Sequence, residues 1–445
     1  MEKITDFEML PRFKSLKESG FLSVLQNCLA ELLNCDVRLQ CKLSTYQSKF
    51  NLFKCPERTT YIEDEQTVSI VACVLNEKKI VSLMGVRVVG FAVCYIPSKI
   101  FDCIGKGLTA LLSSVYAKRN NPLIYEAGET LIKEIITTYA AKGKYNVDYI
   151  KFLIAYAIKI KSLTFEGANI QTGMILTKSF HSFNGKNIIG DKNRGGFISK
   201  NDNLFNLIRN DEINKRLWYI ADGKTSFFLF SKKLESNCLY VLQHRDLPLK
   251  EYISQYLMTN TLSQMDILIR VVNPNYLSVV ANNVEFVNLE GAWHVRDYNA
   301  LIKKLMNLLT MEEDVLKTIF FFIIQLSQKR KSSIIFIPEE DSDYESDLSY
   351  EGLNILGEIN VSDKTYTNTL FNIFTSDGVS IISKKGLLLK HGVIVKQREL
   401  TSHGKLLGTG QMACRILGEK GSSIKVSSDG KITIYNKKHN IELKF

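Results

Sequence analysis

Apolar positions change period several times along the chain. Phe21, Leu22, Leu25, Cys28, Leu29, Leu32 and Leu33 recur every three or four residues, which predicts a helix near the N-terminus. β-branched runs over 68–75 and 79–96 predict strands, the second broken by glycine. Helical spacing returns over 124–160, through Leu131, Ile132, Ile135, Ile136 and Tyr139, then Ile150, Leu153 and Tyr156. Strands are expected at 217–220, 226–230 and 238–242. Residues 264–295 predict a small β unit: Met265–Val272, a turn at Asn273-Pro274-Asn275, and a hairpin across Ala281-Asn282-Asn283. Helices follow at 298–309 and from Thr310, where Thr310 and Glu313 stand at capping-box spacing.

The C-terminal hundred residues carry the sharpest pattern. Residues 332–338 form an apolar strand closed by Pro338, and 365–375 a helix with Leu370, Ile373 and Phe374 on one face. An Asp377-Gly378 corner leads into a hairpin through Lys384-Lys385-Gly386. After a loop over 396–407, Gly408-Thr409-Gly410-Gln411-Met412 opens a helix. Its first backbone N–H groups lack intrahelical partners, a setting that favours phosphate. The chain closes on a hairpin turning at Ser428-Asp429-Gly430.

Charge and composition narrow the function classes. Lys+Arg is 57 and Asp+Glu is 46, a net +11, but the lysines are scattered and no run of five or six basic residues occurs. That pattern argues for no direct nucleic-acid partner. The nine cysteines are odd in number, form no CxxC pair and sit among apolar neighbours, as expected of reduced thiols in a cytoplasmic protein. The most apolar run, 319–326, is eight residues long, against the roughly 20 that a membrane span requires. The six histidines show no metal-ligand spacing, and no Ser/His/Asp order stands out. Two polar segments read as loops. Gly185–Gly196 is glycine-rich but lacks a Walker ending. Residues 339–351 hold seven carboxylates without the glycine of a calcium loop.

Together these elements predict an α/β protein: a C-terminal mixed sheet flanked by helices, preceded by an α+β N-terminal region. The expected divisions are 1–125, a mixed and largely helical 126–260, and 261–445 with its small β unit.

Residues 330–435 resemble the diadenylate cyclase domain family, the nucleotide-binding domain of the DNA-integrity scanning protein DisA. The motifs are Asp377-Gly378-Val379 for the family's Asp-Gly-Ala, Gly408-Thr409-Gly410-Gln411-Met412 for its Gly-Thr-Arg-His-Arg, and Val426-Ser427-Ser428-Asp429-Gly430 for its Val-Ser-x-x-x-Gly. Residues 265–338 are also similar to the segment that precedes this core in divergent relatives, proposed as nucleotide sensors in bacterial signalling and conflict systems.

The resemblance implies a nucleotide site built from Asp377, Gly378, Val379, Gly408, Thr409, Gly410, Gln411 and Ser427, and a chain that self-associates. Active members condense two ATP molecules into cyclic di-AMP, with Asp377 at the ribose and at a Mg²⁺ or Mn²⁺ ion. Here the three basic residues of the second motif are replaced by Gly410, Gln411 and Met412. Phosphoryl transfer rests on positioning and charge stabilisation, and one transition-state donor is worth about 2.7–4 kcal/mol. Arg398, Lys405 and Arg415 are the nearby cations that bear on this loss. The expectation is therefore a sensor of ATP or a cyclic nucleotide; an active cyclase and a non-binding scaffold are the alternatives.

Overall fold

In a computed structural model, the residues described are 20–40, 60–76, 79–117, 124–178, 188–189, 218–234, 238–241, 266–355, 359–397, 401–402, 405–406 and 408–444. The Gly185–Gly196 loop, apart from 188–189, lies outside them. The chain is α/β and divides into two compact units, 1–241 with 262–297, and 242–261 with 298–445.

The first unit begins with α1 (Phe21–Leu33), β1 (Asp36–Gln40), β2 (Thr60–Asp64), β3 (Thr67–Asn76) and β4 (Lys79–Val89). Helices α2 (Ser98–Ala117), α3 (Ile124–Ala141) and α4 (Val147–Lys161) follow. Strands β5 (Thr172–Leu176), β6 (Ser226–Phe230), β7 (Cys238–Val241), β8 (Ile267–Asn273), β9 (Tyr276–Ala281), β10 (Val284–Leu289) and β11 (Ala292–Arg296) complete it. The strands make two sheets. One is β1-β4-β3-β2; the other runs β11-β10-β9-β8-β5-β6-β7 and ends on residues 188–189.

Helix α1 buries Phe21, Leu25, Leu29, Leu32 and Leu33, the stripe its spacing predicts. Gly128 in α3 lets the helix backbones close up, since a Cβ there would stand 2.5 Å from Cys28 Sγ. The β9–β10 hairpin turns on Asn282 and Asn283, both at positive φ, as a tight hairpin turn requires. Three local expectations differ from the structure. The 79–96 strand ends at Val89, and residues 91–94 form a 3₁₀ turn. Residues 218–220 are a turn, with Trp218 buried among Tyr156 and Phe228. The small β unit is continuous with β5 through the β8 register, so it belongs to the first unit's sheet.

The second unit contains α5 (Tyr298–Leu309), α6 (Glu313–Gln328), β12 (Ser333–Pro338), β13 (Leu348–Tyr350), β14 (Leu353–Asn354), α7 (Thr367–Thr375), β15 (Val379–Ile382), β16 (Leu388–Val395), α8 (Thr409–Gly418), β17 (Gly421–Val426), β18 (Ile432–Asn436) and β19 (Ile441–Lys444). The sheet order is β13-β16-β15-β12-β17-β18-β19, with β14 also on β16. Strands β12 and β15 are parallel, and β12 and β17 antiparallel, which makes the sheet mixed.

Alternation along β12 sends Phe336 to one face, against Ile416 and Leu417 of α8. The other face is covered by α6 and α7, where Phe322 and Phe374 meet edge to face at 5.0 Å. The capping box does not form: α6 is capped at Glu312, and the Thr310 hydroxyl donates to Leu309 O at 2.7 Å. The acidic window is only partly loop. It includes a 3₁₀ turn over 345–347 and strand β13.

Candidate functional site

Helix α8 opens on Gly408, with no side chain capping it. Its first internal bonds run from Gln411 N and Met412 N to Gly408 O, both 2.9 Å, leaving the N–H groups of Thr409 and Gly410 without intrahelical acceptors. Gly408 and Thr409 are exposed, and Gly410 and Gln411 half-buried. A Cβ on Gly410 would stand 3.2 Å from Lys425 Cε and 3.4 Å from its Nζ. The missing side chain therefore leaves room for the Lys425 ammonium beside the helix mouth. Among the described residues Lys425 makes no ion pair.

The strand registers connect this mouth to the Asp-Gly corner. Lys425 of β17 pairs with Ile334 of β12, which pairs with Val379 of β15, which pairs with Val393 of β16. The four residues form one row across the sheet. Lys425 and Val379 are two strand spacings apart, about 10 Å. Asp377-Gly378 thus precedes β15 at the same sheet end at which α8 begins. Ser427 lies just past Val426, the partner of Ser333, and so shares that end. Its N–H donates to Lys431 O at 2.8 Å, and its carbonyl accepts from Gly430 N at 2.9 Å, closing the hairpin turn.

Asp377 is exposed, and its Oδ1 accepts only the Gly378 N–H at 3.2 Å. The corner is held by backbone contact. Gly378 has φ +89°, and a Cβ there would meet Gly392 Cα and C at 2.7 Å. Val379 is 2% exposed and belongs to the core with Val393, Ile416 and Leu417, so it can offer a ligand only its backbone.

Met412 packs against that core and Cys414 lies within the unit, where burial pushes its thiol up to about 11. Of the cations considered as substitutes, Arg415 is committed elsewhere. Its Nη2 donates to Glu442 at 2.7 Å, and its guanidinium lies over the Tyr435 ring. Arg398 and the Lys405 side chain lie outside the described residues. Sequence reading missed Lys425. The available signal was its place in β17, where alternation puts it with Ser423 on the α8 face.

Among the described residues no group of three or more His, Cys, Asp or Glu side chains is arranged to hold a metal ion. Three of the acidic window's seven carboxylates meet lysines: Glu339 accepts from Lys384 and Lys438, and Glu345 and Glu351 from the largely buried Lys390. At the Asp377 end Asp429 pairs with Lys431, and among the described residues Asp377 has no ionic partner. A magnesium-type ion there would need the ligand's own phosphates to complete its shell.

No family model matches the chain, and a search of curated proteins finds no matching relative. Solved structures that are similar at low level include two bacterial proteins. A hypothetical membrane spanning protein from Bacillus cereus is 18% identical, over 34% of this chain and 76% of its own, with a TM-score of 0.25. A double mutant of DacA from Staphylococcus aureus is 15% identical, over 30% of this chain and 86% of its own, also at 0.25. Likeness at that score carries no argument about function. Among the described residues no helix is long and apolar enough to cross a membrane.

Proposed function

We propose that the second unit binds a nucleotide with its phosphate at the mouth of α8, and that the protein senses a cyclic nucleotide rather than making one. One observation carries this reading: the unpaired Lys425 ammonium lies against Gly410 at an uncapped helix start, on the sheet end that also presents Asp377. A helix N-terminus contributes about half a positive charge, and a lysine adds one. Together they exceed the single negative charge of a phosphodiester. A triphosphate carries three to four charges, and the basic residues that meet them in the resembled motif are Gly410, Gln411 and Met412 here. Cyclic di-AMP, with one charge per phosphate, is the ligand class that matches.

The test is thermal unfolding of the purified chain with cyclic di-AMP, cyclic mononucleotides and ATP. A ligand bound to the native state raises the midpoint by mass action. A cyclic nucleotide is expected to raise it and ATP to do so less. No shift with any of them sinks the reading. The free Asp377 carboxylate is the observation that favours a cyclase instead. Incubation with ATP and Mn²⁺ separates the two: cyclic product that disappears in Asp377→Asn would establish the enzyme.

A further inference from the structure

On the face of the second sheet opposite α8, the Asp377 corner carries a different chemistry. Ser380 follows Val379 in β15 and therefore points away from the α8 core. Its hydroxyl, 2% exposed, lies 3.3 Å from Nδ1 of His391. The other ring nitrogen, Nε2, lies 2.8 Å from the Oγ of Ser376, an exposed side chain at the C-terminal cap of α7. That Oγ donates to Ile373 O at 2.8 Å, which holds it in place. In the tautomer that donates Nδ1–H to Ser380, Nε2 turns a lone pair to the Ser376 Oγ, and rotation about the Cβ–Oγ bond moves the hydroxyl proton from the Ile373 carbonyl to that nitrogen. Burial holds the imidazole below its usual value, which favours the neutral form with a free lone pair.

We propose that Ser376 and His391 form a base-activated hydroxyl that takes an acyl group from carboxylic esters, an activity separate from the nucleotide site. Three further features suit it. The corner is braced where glycine alone fits: a Cβ at Gly352 would meet His391 O at 2.3 Å, and one at Gly378 would meet Gly392 at 2.7 Å. The N–H of Asp377, the residue after the nucleophile, makes no hydrogen bond among the described residues and is available to a developing oxyanion. Leu353, 63% exposed, is the strand partner of His391, and Tyr350 and Ile394 are exposed beside it. They offer apolar surface to an acyl chain.

In the first half-reaction Ser376 Oγ bonds to the carbonyl carbon as its proton passes to Nε2. The carbon–oxygen bond to the alcohol then breaks, and the alcohol leaves with that proton. Water repeats the sequence against the acyl-serine, releasing the acid and restoring Ser376. No oxidant or cofactor enters.

The full chain is treated with a fluorophosphonate probe, and labelling is located by peptide mass spectrometry, beside hydrolysis of p-nitrophenyl butyrate. The expected result is labelling at Ser376, absent in Ser376→Ala. In His391→Gln it should be slower by about a hundredfold, within the range of general-base effects. Ser380→Ala slows labelling several-fold, and Ser380→Thr, which keeps the hydroxyl, restores it. If His391→Gln does not fold, Ser376→Cys serves: its thiol should react with iodoacetamide at pH 7 about tenfold faster than free cysteine, as a histidine-paired thiolate does. Wild-type labelling no greater than in Ser376→Ala, labelling unchanged in His391→Gln, or an ordinary thiol rate overturns the proposal. None of these readouts involves nucleotide, so the binding reading stands or falls separately.

Discussion

The two ends of the second unit's sheet differ in how fully their charges are paired. Where β12 ends at Pro338, Glu339 accepts from Lys384 at 3.0 Å and from Lys438 at 3.2 Å, and Lys437 reaches Glu419 at 2.9 Å. At the other end Asp429 and Lys431 pair at 3.4 Å in the β17–β18 turn, but Asp377 and Lys425 have no ionic partner among the described residues. Charges that satisfy one another add modestly to stability and fix loops. Charges left open beside an uncapped helix are free to meet something that is not protein. Open charge of this kind marks where a ligand can bind.

The largest effect that would break this comparison lies in the corner itself. Gly378→Ala places a Cβ against Gly392 at positive φ, and should lower unfolding stability by about 2–4 kcal/mol in urea titrations. A loss below about 0.5 kcal/mol would mean that the corner relaxes freely. Next comes Lys425→Glu. Reversing this charge should weaken cyclic di-AMP at least tenfold by calorimetry while leaving the unfolding midpoint nearly unchanged. A hydrogen bond to a charged group is worth about 1.5–3 kcal/mol. Unchanged affinity would move the phosphate elsewhere.

The paired end should respond in the opposite sense. Glu339→Gln is expected to cost about 1 kcal/mol of stability with no change in ligand affinity. Burial pushes the Glu339 carboxyl up, but hydrogen bonds from Lys384 and Lys438 outweigh it and bring the group below the ordinary glutamate value. A lowered folded-state value means that the stabilisation is present above the unfolded value, about 4.3. It is lost as pH falls through the folded one. Stability measured from pH 6 down to 3 should therefore fall less steeply in Glu339→Gln than in the wild type; parallel curves would remove Glu339 from the account. The smallest effect is at Asp377. Asp377→Asn should change stability by less than about 0.5 kcal/mol, as for other exposed positions, and ligand affinity by a few-fold.

Several elements were legible because their signals are local. The 3–4 spacing from Phe21 to Leu33 gave the buried stripe of α1, and Asp429-Gly430 marked the β17–β18 hairpin. Thr310 shows where a local signal fails. Its spacing to Glu313 fits a capping box, yet its φ of +51° turns the chain and its hydroxyl bonds backward to Leu309. Trp218 fails similarly, because its β propensity is overridden by an aromatic pocket made from distant segments.

By itself the sequence determined the alternation of helices and strands, the Asp-Gly corner and the glycine-rich opening of α8, since each depends on neighbours within a few residues. Only the tertiary structure decided that Lys425 lies against Gly410, that Asp377 shares their sheet end, and that His391 links Ser376 to Ser380. Those meetings follow from strand register and helix packing across tens of residues, and periodicity does not encode which distant side chains share a row.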